Sequence, residues 1–195
     1  MQKPIATALA VGIVLTLGTG LANAGTVVIN FDSFTGSGQV PDGYGGITWH
    51  NNWNYYDSFQ PPYNPSSPSE RVYDALDGTP GVTDIFDFQT PTQFDGAWFA
   101  GYGFAPVTFY MFDASNNLLA TSSTLSPSDT PTFLASGYSG LVTRVQVYSP
   151  DPDFFVMDDV TFESPNPVPE PASLTLLGLG ALGVIGFGWK RRRPA

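Results

Sequence analysis

The densest set of residues able to recognise a ligand is Trp49-His50-Asn51-Asn52-Trp53-Asn54-Tyr55-Tyr56-Asp57-Ser58-Phe59. Aromatic faces cover the apolar C–H surfaces of sugar rings, and amides and carboxylates bind their hydroxyls. This stretch offers both chemistries, which makes Trp49, Trp53, Tyr55 and Tyr56 the candidate ligand-binding side chains. The competing reading places alternate aromatics in a core and the rest in an ordered surface loop. The exposure of these rings decides between the two.

A second set consists of carboxylates. Asp32 follows the first apolar run, Asp158 and Asp159 lie in the last, and Asp151 and Asp153 precede that run. Hard cations such as Ca²⁺ take several oxygen ligands, so a structural calcium on Asp32, Asp158 and Asp159 would join the two ends of the domain. The alternative is that these side chains cap turns by accepting local backbone N–H groups. No acidic loop of the EF-hand pattern is present. Paired carboxylates also support glycoside hydrolysis, but a chain with 17 acidic residues places some pair together by composition alone. The absence of cysteine excludes disulfides, thiolate zinc sites and a cysteine nucleophile. His50 is the single histidine, so a multi-histidine metal site within one chain is excluded.

The elements that position these residues read as strands. The chain has 195 residues, 42% hydrophobic and 14% aromatic, which suffices for a core. Charged residues are only 12%, with 21 Gly and 18 Pro, a composition that disfavours long surface helices and favours strands joined by turns. Expected strands are Thr26–Phe31, Gly46–Trp49, Arg71–Asp74, Val82–Phe88, Phe94–Ala100, Val107–Asp113, Leu118–Ser122, Thr132–Ala135, Leu141–Tyr148 and Phe154–Phe162. Ala114-Ser115-Asn116-Asn117 reads as a hairpin turn. In Leu141–Tyr148, the period of two puts Thr143, Val145 and Val147 on one face and Arg144 and Gln146 on the other. No internal repeat is evident. The expectation is an all-β, jelly-roll-like β-sandwich over residues 25–163.

Both ends read as addresses. Lys3, the apolar run Ile5–Leu17 and the A-x-A site at Ala22-Asn23-Ala24 form a cleavable signal helix over residues 1–24. At the other end, alternating prolines make an extended spacer over residues 164–172. An uncharged apolar segment, residues 173–189, follows, and as a helix it would span roughly 25 Å, short for a bilayer. Lys190, Arg191, Arg192 and Arg193 then form a basic tail, residues 190–195, of the kind retained on the cytoplasmic side. Between the ends, residues 25–169 hold two basic residues against 16 acidic ones. Such a body repels phosphate backbones, which argues against a nucleic-acid partner.

Pro169-Glu170-Pro171, an apolar helix and a terminal arginine cluster, in that order, resemble the PEP-CTERM sorting signal of Gram-negative bacteria. The resemblance implies processing by an exosortase near Pro169, Glu170 and Pro171, a precursor held in the inner membrane by its C-terminal helix, and delivery to the cell surface or an exopolysaccharide matrix. The body stretches "INFDSFTGSGQVPDGYGGITW" and "FFVMDDVTF" resemble bodies carried by other proteins with this signal. They also resemble carbohydrate-binding-module and galactose-binding-like jelly rolls. The expected function is therefore a non-catalytic surface or matrix protein that binds extracellular polysaccharide. A secreted glycoside hydrolase or lyase, or a purely structural matrix component, are the alternatives.

Overall fold

The computed structural model describes residues 25–74 and 84–164. The expected signal segment, the spacer from residue 165 onward, the expected membrane helix and the basic tail lie outside the described residues. Eleven strands follow in chain order: β1 (Gly25–Ile29), β2 (Ser37–Gln39), β3 (Ile47–Thr48), β4 (Trp53–Tyr56), β5 (Arg71–Asp74), β6 (Asp84–Gly101), β7 (Thr108–Phe112), β8 (Leu118–Thr121), β9 (Thr132–Ala135), β10 (Leu141–Tyr148) and β11 (Phe155–Ser164). Two single 3-10 turns, Tyr44–Gly46 and Pro152–Phe154, are the other regular elements described. The fold is all-β, and every strand pairing is antiparallel.

The pairing order is β2-β4-β5-β11-β6-β10-β7-β8, with β1 on β11 and β3 and β9 on β6. Strand β6 is the hinge of this arrangement. Its first part, Asp84 to Phe88, pairs with β10 and β3. Its last part, Gly96 to Gly101, pairs with β9 and β11. A long strand that changes partners midway carries the chain from one layer to another. The sequence predicts two strands, Val82–Phe88 and Phe94–Ala100; the chain instead forms one strand that continues through Pro91. Gln89, Thr90 and Pro91 are exposed and take no ladder partner, so the missing proline N–H costs nothing at the corner.

Aromatic side chains from both parts of β6 close one core. Phe86 meets Trp49 with ring centroids 5.4 Å apart, and Phe94 meets Phe109 of β7 at 4.9 Å. Phe99 meets Phe155 of β11 at 5.8 Å. Burying each such side chain contributes about 1.5–3 kcal/mol, and this cluster holds the two ends of the sheet together. Gly96 is required where β6 passes under β9. Its φ is +148°, and a Cβ there would lie 2.2 Å from the Leu134 carbonyl oxygen.

Local irregularities shift the expected faces. A bulge between Val142 and Arg144 changes the phase of β10, so Val142 joins Val145 and Val147 in the core and Thr143 does not. In β11 the register shifts between Asp158 and Thr161, with Asp159 at φ +46°. Strands β2 and β4 were not legible in the sequence. Both belong to one edge of the sheet, where short polar strands gain their structure from the partner rather than from their own pattern.

Candidate functional site

The face of β4, β5 and β11 that points away from the core carries the candidate site. Along β5, Val72 and Asp74 point inward and Tyr73 outward, as the period of two requires. Tyr56, on the neighbouring strand, meets Tyr73 edge-on at 5.4 Å. Tyr56, Tyr73, Gln60, Tyr63, Asp153 and Val156 surround an open cavity of about 370 Å³, with Phe155 at its base. Three phenol rings, one amide and one carboxylate thus converge on one hollow.

The segment between β4 and β5 forms one wall, and it is clamped from several directions. Arg71 is 2% exposed, and its guanidinium donates to the carbonyl oxygens of Ser58 and, at 3.0 Å, Ser69. The same group lies 3.8 Å from the centre of the Tyr56 ring. Asp158, also 2% exposed, accepts the backbone N–H of Ser66 at 2.9 Å and of Ser67 at 3.0 Å. The Ser66 hydroxyl donates to Asp159. Asn64 donates to the Asp129 carbonyl at 2.6 Å, and the Tyr63 hydroxyl to the Asp153 carbonyl at 3.3 Å. The β11 bulge turns Asp158 and Asp159 toward this segment, so the carboxylates hold the wall.

The electrostatics follow from burial. Burial raises the Tyr56 phenol above its ordinary value, against the opposing pull of Arg71. Burial likewise raises Tyr63, with Tyr102 adding to it. Both phenols are neutral donors and acceptors at neutral pH. Burial pushes the Asp158 carboxyl up to about 7, against the N–H donors of Ser67, Asp159 and Ser66.

The cavity continues into an exposed aromatic ridge. Tyr63 meets Tyr102 at 5.7 Å, Tyr102 stacks on Phe104 at 5.4 Å, and Phe154 packs against both at 5.9 and 5.0 Å. Tyr102, Phe104 and Phe154 are 42%, 57% and 37% exposed. Three large rings are thus exposed side by side.

Of the four aromatic residues read from the sequence, only Tyr56 lines this cavity. Trp49 and Trp53 are 0% exposed, and each indole N–H is satisfied internally, by the carbonyls of Tyr44 and Ile85. They are core residues, which corrects their assignment to a ligand. Tyr55 stacks on Phe34 at 4.3 Å, on the inner side of β4. The sequence missed Gln60, Tyr63 and Tyr73, and placed Asp153 only among the acidic residues before the last strand. Tyr73 has a faint signal, an aromatic at the outward position of a short strand; Tyr63 has none.

The carboxylates expected to share a calcium are likewise separated in role. Asp32 accepts from the Asn30 amide at 2.8 Å, while Asp158 and Asp159 bind the β4–β5 segment. Among the described residues no three His, Asp or Glu side chains gather as a metal site requires. Only the Asp159 N–H to Asp158 bond is a local backbone contact; the other bonds of Asp158 and Asp159 reach the distant β4–β5 segment, and Asp32 accepts a side-chain amide. His50 binds Asp87 at 2.9 Å, and Asp87 also receives two bonds from Arg144, at 2.7 and 2.8 Å.

Beyond the described residues the chain carries Pro169-Glu170-Pro171, an uncharged apolar run and a basic cluster in strict order. Residues 167–193 match the PEP-CTERM protein-sorting motif. The motif implies export, a membrane-anchored precursor and processing toward the cell surface. A comparison with curated proteins found no match. Among solved structures, the β body is similar to a DUF4465-family protein from Bacteroides caccae, with 13% identity over 78% of this chain and 99% of that one, at a TM-score of 0.42. It is also similar to a family 29 carbohydrate-binding module, with 12% identity over 76% and 99% of the two chains, at a TM-score of 0.41. At these scores the likeness is one of general β architecture and says nothing about a ligand.

Proposed function

We propose that this chain is an exported, exosortase-sorted surface protein whose body, a jelly-roll-like sandwich, binds polysaccharide without cleaving it. The observation that carries this reading is the convergence of Tyr56, Tyr63 and Tyr73 with Gln60 and Asp153 on one open cavity, extended by the Tyr102–Phe104–Phe154 ridge. A sugar ring presents apolar C–H faces and a rim of hydroxyls, and this surface offers aromatic faces with a few polar groups beside them. The ridge gives further rings along which a chain of sugars extends. Asp153 is the one carboxylate lining the cavity, whereas glycoside hydrolysis uses two across the scissile bond.

In this reading residues 1–24 are removed after Ala24, and residues 173–189, with the basic tail, hold the precursor in the inner membrane of a Gram-negative cell. Cleavage near Pro169, Glu170 and Pro171 then releases the body, residues 25–163, to the surface or an exopolysaccharide matrix. Full-length protein in detergent, tested on a glycan array, is expected to bind at least one polysaccharide class. Tyr63→Ala and Tyr73→Ala are each expected to weaken that binding about tenfold, from stacking and burial of roughly 1–1.5 kcal/mol per ring. Leu141→Ala, on the exposed start of β10, is expected to bind normally. If no glycan binds, or if the tyrosine variants bind like the parent, a structural matrix role replaces the lectin reading.

A further inference from the structure

Asp153 is the one charged side chain on a hollow otherwise lined by Tyr56, Gln60, Tyr63, Tyr73, Phe155 and Val156. It is exposed, in the middle of the 3-10 turn Pro152–Phe154. Its backbone carbonyl accepts from the Tyr63 hydroxyl, but among the described residues no donor is bonded to its carboxylate. Burial raises the Tyr63 phenol, and Tyr102, Tyr56 and the Asp153 charge add to that, so the carboxylate lies within electrostatic reach of the ring.

The rings favour the same sign of partner. The face of a phenol carries the negative part of its quadrupole and attracts a cation placed over it. One cation already uses this property: the Arg71 guanidinium lies 3.8 Å from the centre of the Tyr56 ring. Arg71 is buried and bonded to the Ser58 and Ser69 carbonyls, so its charge stays behind that ring. Tyr63 and Tyr73 have no such cation among the described residues.

The chain supplies no counter-charge to the hollow. Residues 25–169 hold two arginines and one histidine against 16 acidic residues. Arg144 is bonded to Asp87 and Asn116, and His50 to Asp87. Burial, with Asp74 beside it, pushes the Asp84 carboxyl up to about 9 and so keeps it neutral at neutral pH, but the body remains strongly acidic. Such a surface draws cations toward its clefts and repels anions.

We propose that the hollow of Tyr63, Tyr73 and Asp153 selects polysaccharides bearing protonated amino groups, polymers of de-N-acetylated amino sugars, over neutral and uronic-acid polymers. The proposal rests on the polysaccharide reading of this same cavity and names the class of sugar. The ammonium of one sugar unit donates to the Asp153 carboxylate and lies against the faces of Tyr63 and Tyr73. Its ring C–H faces and hydroxyls meet the other aromatic rings and Gln60. N-acetylation removes the charge that these groups recognise. A uronate would set a second carboxylate beside Asp153. A lysine-rich peptide carries the same charge but lacks the sugar C–H faces that suit the Tyr102–Phe104–Phe154 ridge.

The test uses full-length protein in an uncharged detergent at low salt and mildly acidic pH, where sugar amines are protonated and exposed carboxylates ionised. Calorimetry compares a glucosamine hexamer with its fully N-acetylated counterpart, a neutral glucose hexamer, a uronate hexamer and hexalysine. The glucosamine hexamer is expected to bind roughly tenfold tighter than the N-acetylated and neutral hexamers, with the margin shrinking as salt rises. The uronate hexamer is expected to bind weakest of the sugars. Asp153→Asn is expected to lose roughly fivefold for the glucosamine hexamer and nothing for the N-acetylated one. This substitution touches an exposed carboxylate and leaves the backbone carbonyl that Tyr63 uses in place. If the N-acetylated or neutral hexamer binds as tightly as the amine, the proposal fails while the polysaccharide reading stands. If hexalysine matches the glucosamine hexamer, or if Asp153→Asn keeps the full amine preference, the acidic body acts as an ion exchanger and the proposal fails. If no sugar binds at all, the proposal and the polysaccharide reading fall together.

Discussion

Asp158→Asn tests whether a buried carboxylate clamps the cavity wall. Asp158 uses both oxygens: Oδ2 accepts from Ser66 N and Ser67 N, and Oδ1 from Asp159 N at 2.7 Å. Burial nonetheless raises its carboxyl from 3.8 to about 7. The sign follows from proton binding. Between about pH 4 and pH 7 the folded state holds a proton that the unfolded state has released, so stability is highest below this window and falls as pH rises through it. One pKa unit corresponds to about 1.4 kcal/mol, and the wild type should lose about 2 kcal/mol from this group between pH 5 and pH 7. Asparagine does not titrate, so the variant lacks that loss. Its NH₂ must face at least one of the three N–H donors, at a pH-independent cost of about 1–3 kcal/mol. Urea unfolding followed by tryptophan fluorescence, in EDTA at pH 5, 6 and 7, reads both quantities. The expected outcome is a variant that gains on the wild type by about 2 kcal/mol across the window. Parallel stability curves would show that the N–H donors hold Asp158 ionised throughout, and would refute the reasoning.

Trp53→Ala is expected to destabilise the fold by about 3–5 kcal/mol, through a core cavity and an orphaned Ile85 carbonyl. At a temperature where the variant remains folded its glycan affinity should be unchanged, since the indole reaches no surface; denaturant melts and the same array check both. Glu170→Ala is expected to block maturation of the precursor while the body stays folded, seen as retention of the full-length species on a gel. Normal processing of that variant would remove the sorting assignment.

Much of the architecture is legible because strands leave a local signature. Arg71–Asp74, Thr132–Ala135 and Leu141–Tyr148 have the bounds expected from their apolar periodicity. The signature fails where the partner supplies the order. Ser37–Gln39 carries no apolar pattern and is a strand because Ser37, Gly38 and Gln39 pair with Tyr56, Tyr55 and Asn54. It fails again at Pro91, which in sequence is a breaker and in space is a corner. The site was partly legible. An aromatic-rich stretch does border it, but composition cannot say which ring of Trp53-Asn54-Tyr55-Tyr56 faces solvent. That depends on which side of β4 the core lies.

The sequence by itself determined the address and the chemistry available: a sorting motif that implies export, an acidic body without cysteine, and a surplus of aromatic rings. These are properties of contiguous residues, and they hold whatever the fold. The tertiary structure alone decided how the rings divide. It sent Trp49 and Trp53 inward and gathered Tyr56, Tyr63 and Tyr73, from two strands and the segment between them, around one cavity. It also buried Asp84, at the start of β6, beside Asp74, at the end of β5. Contacts between layers depend on register and bulges, and one residue of slip would turn every one of these side chains to the other face.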